Sequence, residues 1–172
     1  MSVQLKSFIR DVPDYPSPGI LFRDITPLLS DRRALAQSIN LMAGPFRDEC
    51  IDYVVGPESR GFIFATALAR ELNAGFVPVR KKGKLPRATH AVRYALEYGT
   101  DELHVHQDAI RPGSRVLVAD DVLATGGTMR AVLDLCGRSG AAIMGVSVLI
   151  ELLQLNGRAA LAPTRVESLV TY

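Results

Sequence analysis

The 172-residue chain is 48% hydrophobic and carries 20 Lys and Arg against 18 Asp and Glu, a formal net charge of +2. Such a length supports one domain (residues 1–172) with a buried core, and so small a charge excess argues against a general nucleic-acid binder, leaving any anion to be held locally. The two cysteines, Cys50 and Cys136, fit no metal-ligand spacing or disulfide framework and read as small core hydrophobes. No signal-like core opens the chain and no apolar run is long enough to span a bilayer, so no membrane association and a cytoplasmic location are expected.

Residues 1–10 are expected to form a short helix. The segment DVPDYPSPGILFRDITPLL that follows holds four prolines and a glycine, which exclude a regular helix or a central strand and leave a small hood over about 11–29. Ser30 or Asp31 is the candidate N-cap of a helix with Leu35, Ile39 and Met42 on one face, closed near Gly44-Pro45. From there the pattern alternates. IDYVVG (51–56) reads as a strand, GFIFATALARELN (61–73) as a helix and GFVPVR (75–80) as a strand, which makes one βαβ unit.

The polar stretch over about 81–106 has alternating pieces and reads as a mobile hairpin able to act as a lid. Its HxH pair, His104 and His106, has no evident third metal ligand and is expected on an exposed face of that hairpin. RVLVADD (115–121), TMRAVLDLCGRSG (128–140) and AIMGVSVLIE (142–151) give a second βαβ unit. Continuous apolar runs in the strands indicate burial on both faces, hence an α/β fold with a central, mainly parallel sheet flanked by helices.

In such a sheet ligands bind beyond the carboxyl ends of the strands. Two turns fall there, at 57–61 and at 120–128, and each leads into a helix. In the second, VLVADDVLATGGT (116–128), Gly126-Gly127 allows successive N–H groups to converge while Thr125 and Thr128 add hydroxyls, a combination suited to phosphate. No GK[ST] follows it and the chain has no GxGxxG, so a monophosphate fits better than a triphosphate or a dinucleotide. A tight turn with a Thr cap would also read TGGT. Asp120 and Asp121 tip the balance, because adjacent carboxylates at the end of a buried strand must be solvated, paired or bound, and sugar hydroxyls or a magnesium ion would satisfy them.

VLVADDVLATGGT resembles the 5-phosphoribosyl 1-diphosphate (PRPP) motif of type I phosphoribosyltransferases. PSPGILFRDITPLL, GPESRGFIF, VPVRKKGKLP, YALEYGTDEL and ELLQLNGR resemble, in order, segments of the adenine phosphoribosyltransferase family, so the likeness runs from about Asp11 to Arg165. The resemblance implies a purine salvage transferase that converts adenine and PRPP, carried with Mg2+, to AMP and pyrophosphate, typically as a homodimer. It assigns the ribose hydroxyls to Asp120 and Asp121 and the 5-phosphate to Ala124, Thr125, Gly126, Gly127 and Thr128. It gives the pyrophosphate to Ser59, Arg60, Arg80, Lys81 and Lys84. Adenine would lie between Phe22 and Leu152, with backbone near Arg23 reading its edge. Glu97, with Arg60, would be catalytic, and magnesium would sit near the Asp120–Asp121 pair.

Taken singly these residues have plainer readings: Arg60 a surface arginine near a helix start, the cationic run RKKGKLPR a solvated loop, Phe22 a core aromatic and Glu97 a loop carboxylate. Glu58 stands where relatives often carry Asp, and Ala119 where many carry a larger aliphatic expected to face a helix. Two alternative functions remain at this point: a transferase for 6-oxopurines, or a PRPP-sensing regulatory protein without turnover. The hood and the Leu152 region argue against the first, because a 6-oxo group needs a facing donor. The second usually requires an added DNA-binding segment.

Overall fold

The computed structural model describes residues 4–95 and 100–172. The start of the chain is a single 3-10 turn, Leu5–Phe8, rather than the expected helix. Beyond it β1 (Arg10–Pro13) and β2 (Leu21–Asp24) pair antiparallel as a detached two-stranded hairpin. The prolines permit this because Pro13 ends its strand and Pro16 and Pro18 lie in the connecting turn, where no ladder N–H is needed. The short α1 (Thr26–Ser30), with Pro27 in its first turn, completes the hood. Asp31, rather than Ser30, caps α2 (Arg32–Ala43): its carboxylate accepts the backbone N–H groups of Arg33 at 2.9 Å and Ala34 at 2.8 Å. The fully buried face of α2 is Ala34, Ser38 and Met42, with Leu35 and Ile39 only half-buried.

The two βαβ units form as expected: β3 (Tyr53–Pro57), α3 (Gly61–Glu71) and β4 (Gly75–Lys81), then, after a hairpin of β5 (Thr89–Ala95) and β6 (Thr100–His106), β7 (Arg115–Leu123), α4 (Gly127–Arg138) and β8 (Ala142–Glu151). A four-residue helix, α5 (Gly157–Ala160), and a last strand, β9 (Val166–Thr171), follow. The main sheet runs β5-β6-β4-β3-β7-β8-β9; β4, β3, β7, β8 and β9 are mutually parallel, while β6 is antiparallel to β4 and β5 to β6. Within this sheet only β9 lacks a counterpart in the sequence reading; as an edge strand it buries just Val166 and Val170, so its apolar signal is weak.

Alternate residues of the central strands enter opposite layers. Val55, Val116, Val118, Val146 and Val148 pack with α4, whereas Val54, Leu117, Ala119 and Leu149 pack with α2 and α3. Ala119 thus faces a helix layer, as expected. The crossover through α3 carries the chain from β3 to β4 on one side, and the crossover through α4 carries it from β7 to β8 on the other. The carboxyl ends of β3 and β7 therefore diverge, and a crevice opens between them.

Two further expectations need correction. Cys50 is exposed, at a positive φ of 46°, because it sits in the turn before β3; Cys136 alone is a core thiol, pushed up to about 12 by burial. His104 and His106 are half-buried rather than exposed, since β6 is an interior strand. The His104 ring meets the Thr89 hydroxyl and a Glu102 carboxylate oxygen, each at 2.8 Å. Among the described residues no helix is long and apolar enough to cross a membrane. Glu97 lies outside the described residues.

Candidate active site

The crevice holds a cavity of about 320 Å³ lined by residues 57–60 and 120–129. Its acidic wall comes from the way β7 changes neighbours. Ladder pairing with β3 stops at Val118, but β8 holds β7 on to Leu123, two residues past the expected end, so Asp120 and Asp121 remain in a strand with one edge released. Asp121 is 3% exposed and meets the Arg60 guanidinium at 2.8 Å. Asp120 has no ion pair of its own among the described residues, and its Oδ1 accepts the N–H of Asp121 at 2.8 Å. It lies against the first turn of α3: a Cβ on Gly61 would stand 2.9 Å from Asp120 Oδ1. Desolvation first, and then the neighbouring Asp121, raise the Asp120 carboxyl well above its ordinary range; desolvation also raises Asp121, against the pull of Arg60.

Two adjacent acids held in this way are short of cations. They are hard oxygen donors suited to ribose hydroxyls or to a divalent ion. Among the described residues no group of three or more His, Cys, Asp or Glu could hold a metal alone, so magnesium here would have to draw further oxygens from a bound diphosphate. The donor set fits an ion that arrives with its substrate.

The opposite wall is the loop from Ala124 to Thr128. Gly126, at φ +87°, stands as N-cap of α4 with no side-chain cap, and the first turn of α4 has no acidic residue. No Thr cap forms. The N-terminal amides and the positive end of the helix dipole are left for an anion, with the Thr125 and Thr128 side chains beside them. The Tyr94 hydroxyl of β5 reaches Thr128 and Asp101, which ties the turn end of the hairpin to this loop.

The cavity's third side is the turn after β3, where the Glu58–Ser59 peptide is cis. Of the cations expected near pyrophosphate, Arg60 lines the cavity beside Ser59, whereas Arg80, Lys81 and Lys84 do not. Arg80 meets Glu58 at 2.7 Å. That pairing gives Glu58, whose role was open, a definite partner. Lys81 meets Asp101 of β6 at 3.0 Å, a contact that holds the Asp101 carboxyl below its ordinary range. Lys84 is exposed and makes no ion pair among the described residues.

Beside this cavity is a smaller one, about 130 Å³, lined by Ile20, Leu21, Phe22, Arg23, Arg60, Val122, Ala124 and Leu152. It joins the three residues expected at adenine. The Phe22 ring packs edge-on to Tyr15 at 5.2 Å and lies under the Arg60 guanidinium at 4.9 Å, so Arg60 borders both cavities. Arg23 pairs with Asp11 and stacks on the Tyr172 ring at 3.7 Å; its buried Nε has no hydrogen-bond partner among the described residues. Sequence reasoning missed Ile20, Leu21 and Val122, whose only signal is apolar character.

Residues 24–166, most of the chain, match the family model of the phosphoribosyl transferase domain. The chain belongs to the phosphoribosyltransferase family. Among its relatives the adenine phosphoribosyltransferase of Rhodopirellula baltica is 56% identical over 170 residues, covering 99% of this chain and 82% of that one. The crystal structure of adenine phosphoribosyltransferase from Rhodothermus marinus superposes with a TM-score of 0.93 at 52% identity, covering 98% of this chain and 96% of that one. The Giardia lamblia enzyme complexed with 9-deazaadenine gives 0.93 at 36% identity, covering 98% and 96%. The sheet described above is thus the type I phosphoribosyltransferase fold.

Proposed function

We infer that the protein is an adenine phosphoribosyltransferase that joins adenine to PRPP, giving AMP and pyrophosphate in purine salvage. The observation that carries this is an acidic, anion-ready cavity that shares Arg60, Val122 and Ala124 with an apolar slot, in a chain closely similar to enzymes of that name. A neutral purine suits the slot and a phosphorylated sugar suits the cavity. Their shared wall would bring the attacking nitrogen and the sugar carbon together.

In our reading, N9 of adenine forms its bond to C1 of the ribose as the bond from C1 to the pyrophosphate oxygen breaks. The pyrophosphate takes that electron pair, and the proton from N9 passes to a base, for which Glu97 is our candidate. Asp120 and Asp121 would bind the ribose hydroxyls, residues 124–128 the 5-phosphate, and Ser59 and Arg60 the pyrophosphate, with Arg80, Lys81 and Lys84 as further cations on its side. Phe22 and Leu152 would sandwich adenine, and backbone at Arg23 would read its edge. Magnesium bound with PRPP would neutralise leaving-group charge beside Asp120 and Asp121. Arg60 would exchange Asp121 for diphosphate oxygens as substrate arrives, easing the burial of both acids. A homodimer, a cytoplasmic location and closure of the 81–106 hairpin are further parts of this reading, carried by the resemblance.

A competition assay tests it: PRPP, magnesium and equal adenine, hypoxanthine, guanine and xanthine, with the nucleotide products separated. AMP as the dominant product is expected. A 6-oxo nucleotide would overturn the reading of the slot, and PRPP binding without turnover would point to a sensor.

A further inference from the structure

The end of β8 holds a buried carboxylate with three side-chain donors, Glu151. Glu151, 3% exposed, accepts Arg158 Nε at 2.9 Å, Arg158 Nη2 at 2.6 Å and the Ser168 hydroxyl at 2.6 Å. Arg158 Nη1 also donates to the Val166 carbonyl at 2.6 Å. This two-pronged ion pair closes a short loop, residues 152–157, whose two ends meet the two cavities. At one end Leu152 lines the apolar slot. At the other, Gly157 presses on the anion loop so closely that a Cβ added to it would collide with the Ala124 carbonyl oxygen, and a Cβ on Gly126 would lie 2.8 Å from the Gly157 carbonyl oxygen. Backbone packs against backbone there, so a shift of Gly157 would press on or release the loop from Ala124 to Gly126.

We propose that Glu151 and Arg158 are positioning residues for both substrate sites at once. Their ion pair sets the height of Leu152 against the base and of Gly157 against the 5-phosphate loop, although neither side chain lines either cavity. Burial makes the device stiff: Glu151 has its oxygens engaged by three donors and cannot drift without leaving a charge unpaired in the interior. The proposal rests on reading residues 124–128 as the phosphate loop and Phe22–Leu152 as the base slot.

The test is steady-state kinetics with each substrate varied in turn, on Arg158→Met, Arg158→Lys and the neutral pair Glu151→Gln/Arg158→Gln, beside thermal melting. Arg158→Met is expected to raise KM for adenine and KM for PRPP together, each about tenfold, because a small misplacement weakens contacts at both sites. Methylguanidinium should restore both, since the Arg158 side chain is 48% exposed and leaves a solvent-reachable gap. Arg158→Lys should fall between. If Arg158→Met does not fold, the neutral pair, which leaves no buried charge, is expected to show the same joint rise. Wild-type KM values in a folded variant with only a lower Tm, or a rise for one substrate alone, would overturn the proposal. Thr128→Ala and Phe22→Ala separate the two layers of inference: if the first raises KM for PRPP alone and the second KM for adenine alone, the site reading stands whatever Arg158 does.

Discussion

The two cavities are built in opposite ways. The larger one is mostly a single run of chain: residues 120–129 supply its acids and its anion loop, and one short turn after β3 closes it. The slot takes residues from the hood at 20–23, from the turn after β3, from the end of β7 and from the end of β8. A contiguous site inherits its geometry from local backbone rules, from a strand end, a positive-φ glycine and a helix start. An assembled site exists only when distant elements are held in register, and here the Arg60 guanidinium over the Phe22 ring and the Arg23 guanidinium over the Tyr172 ring bridge them. The first should feel remote change only through the close backing of Gly157, the second through every element that lines it.

The strongest way to break the contiguous site is to remove its charge. Asp120→Asn with Asp121→Asn should lower kcat/KM for PRPP by at least about 100-fold, since hydrogen bonds to charged groups contribute roughly 1.5–3 kcal/mol each. Asp120→Asn alone should nevertheless stabilise the ligand-free protein. The raised pKa of Asp120 means that the folded state binds its proton more tightly than the unfolded chain. Stability is therefore lost as pH rises from the ordinary aspartate range through the higher folded value, and Asn removes that loss. Melting curves should show the variant above wild type at neutral pH and the difference shrinking at acidic pH; a lower Tm at neutral pH would contradict the assignment.

A moderate effect is expected in the assembled slot. Phe22→Ala removes one stacking surface, worth about 1–3 kcal/mol per base, and should raise KM for adenine roughly tenfold while KM for PRPP stays within about twofold. The smallest effect sharpens the boundary between the regions. Lys84→Met should raise KM for PRPP by no more than about fivefold, the range of an exposed charge pair. A larger loss would mean that the exposed lysine becomes desolvated in the complex.

The local half of this architecture was legible in the sequence. Both βαβ units were readable because buried parallel strands are continuous apolar runs and their helices keep a 3.6-residue period, and VLVADDVLATGGT announced its site because strand, acids, glycines and helix start are adjacent in the chain. What stayed hidden was contact between distant segments. The hood hairpin was masked by prolines that its turn tolerates, β9 by its position at the sheet edge, and the pairing of Glu58 with Arg80 by their sequence separation of 22.

The sequence by itself determined the sheet's central strands, the acidic pair and a glycine-rich helix start suited to phosphate, since each depends on residues within one or two turns of chain. Only the tertiary structure decided that Arg60 would stand between the acids and the aromatic slot, that Lys81 would answer Asp101, and that Gly157 would back the phosphate loop. Those choices depend on which distant elements the packed sheet brings within hydrogen-bond or van der Waals reach, and nothing in local propensity or periodicity encodes that distance.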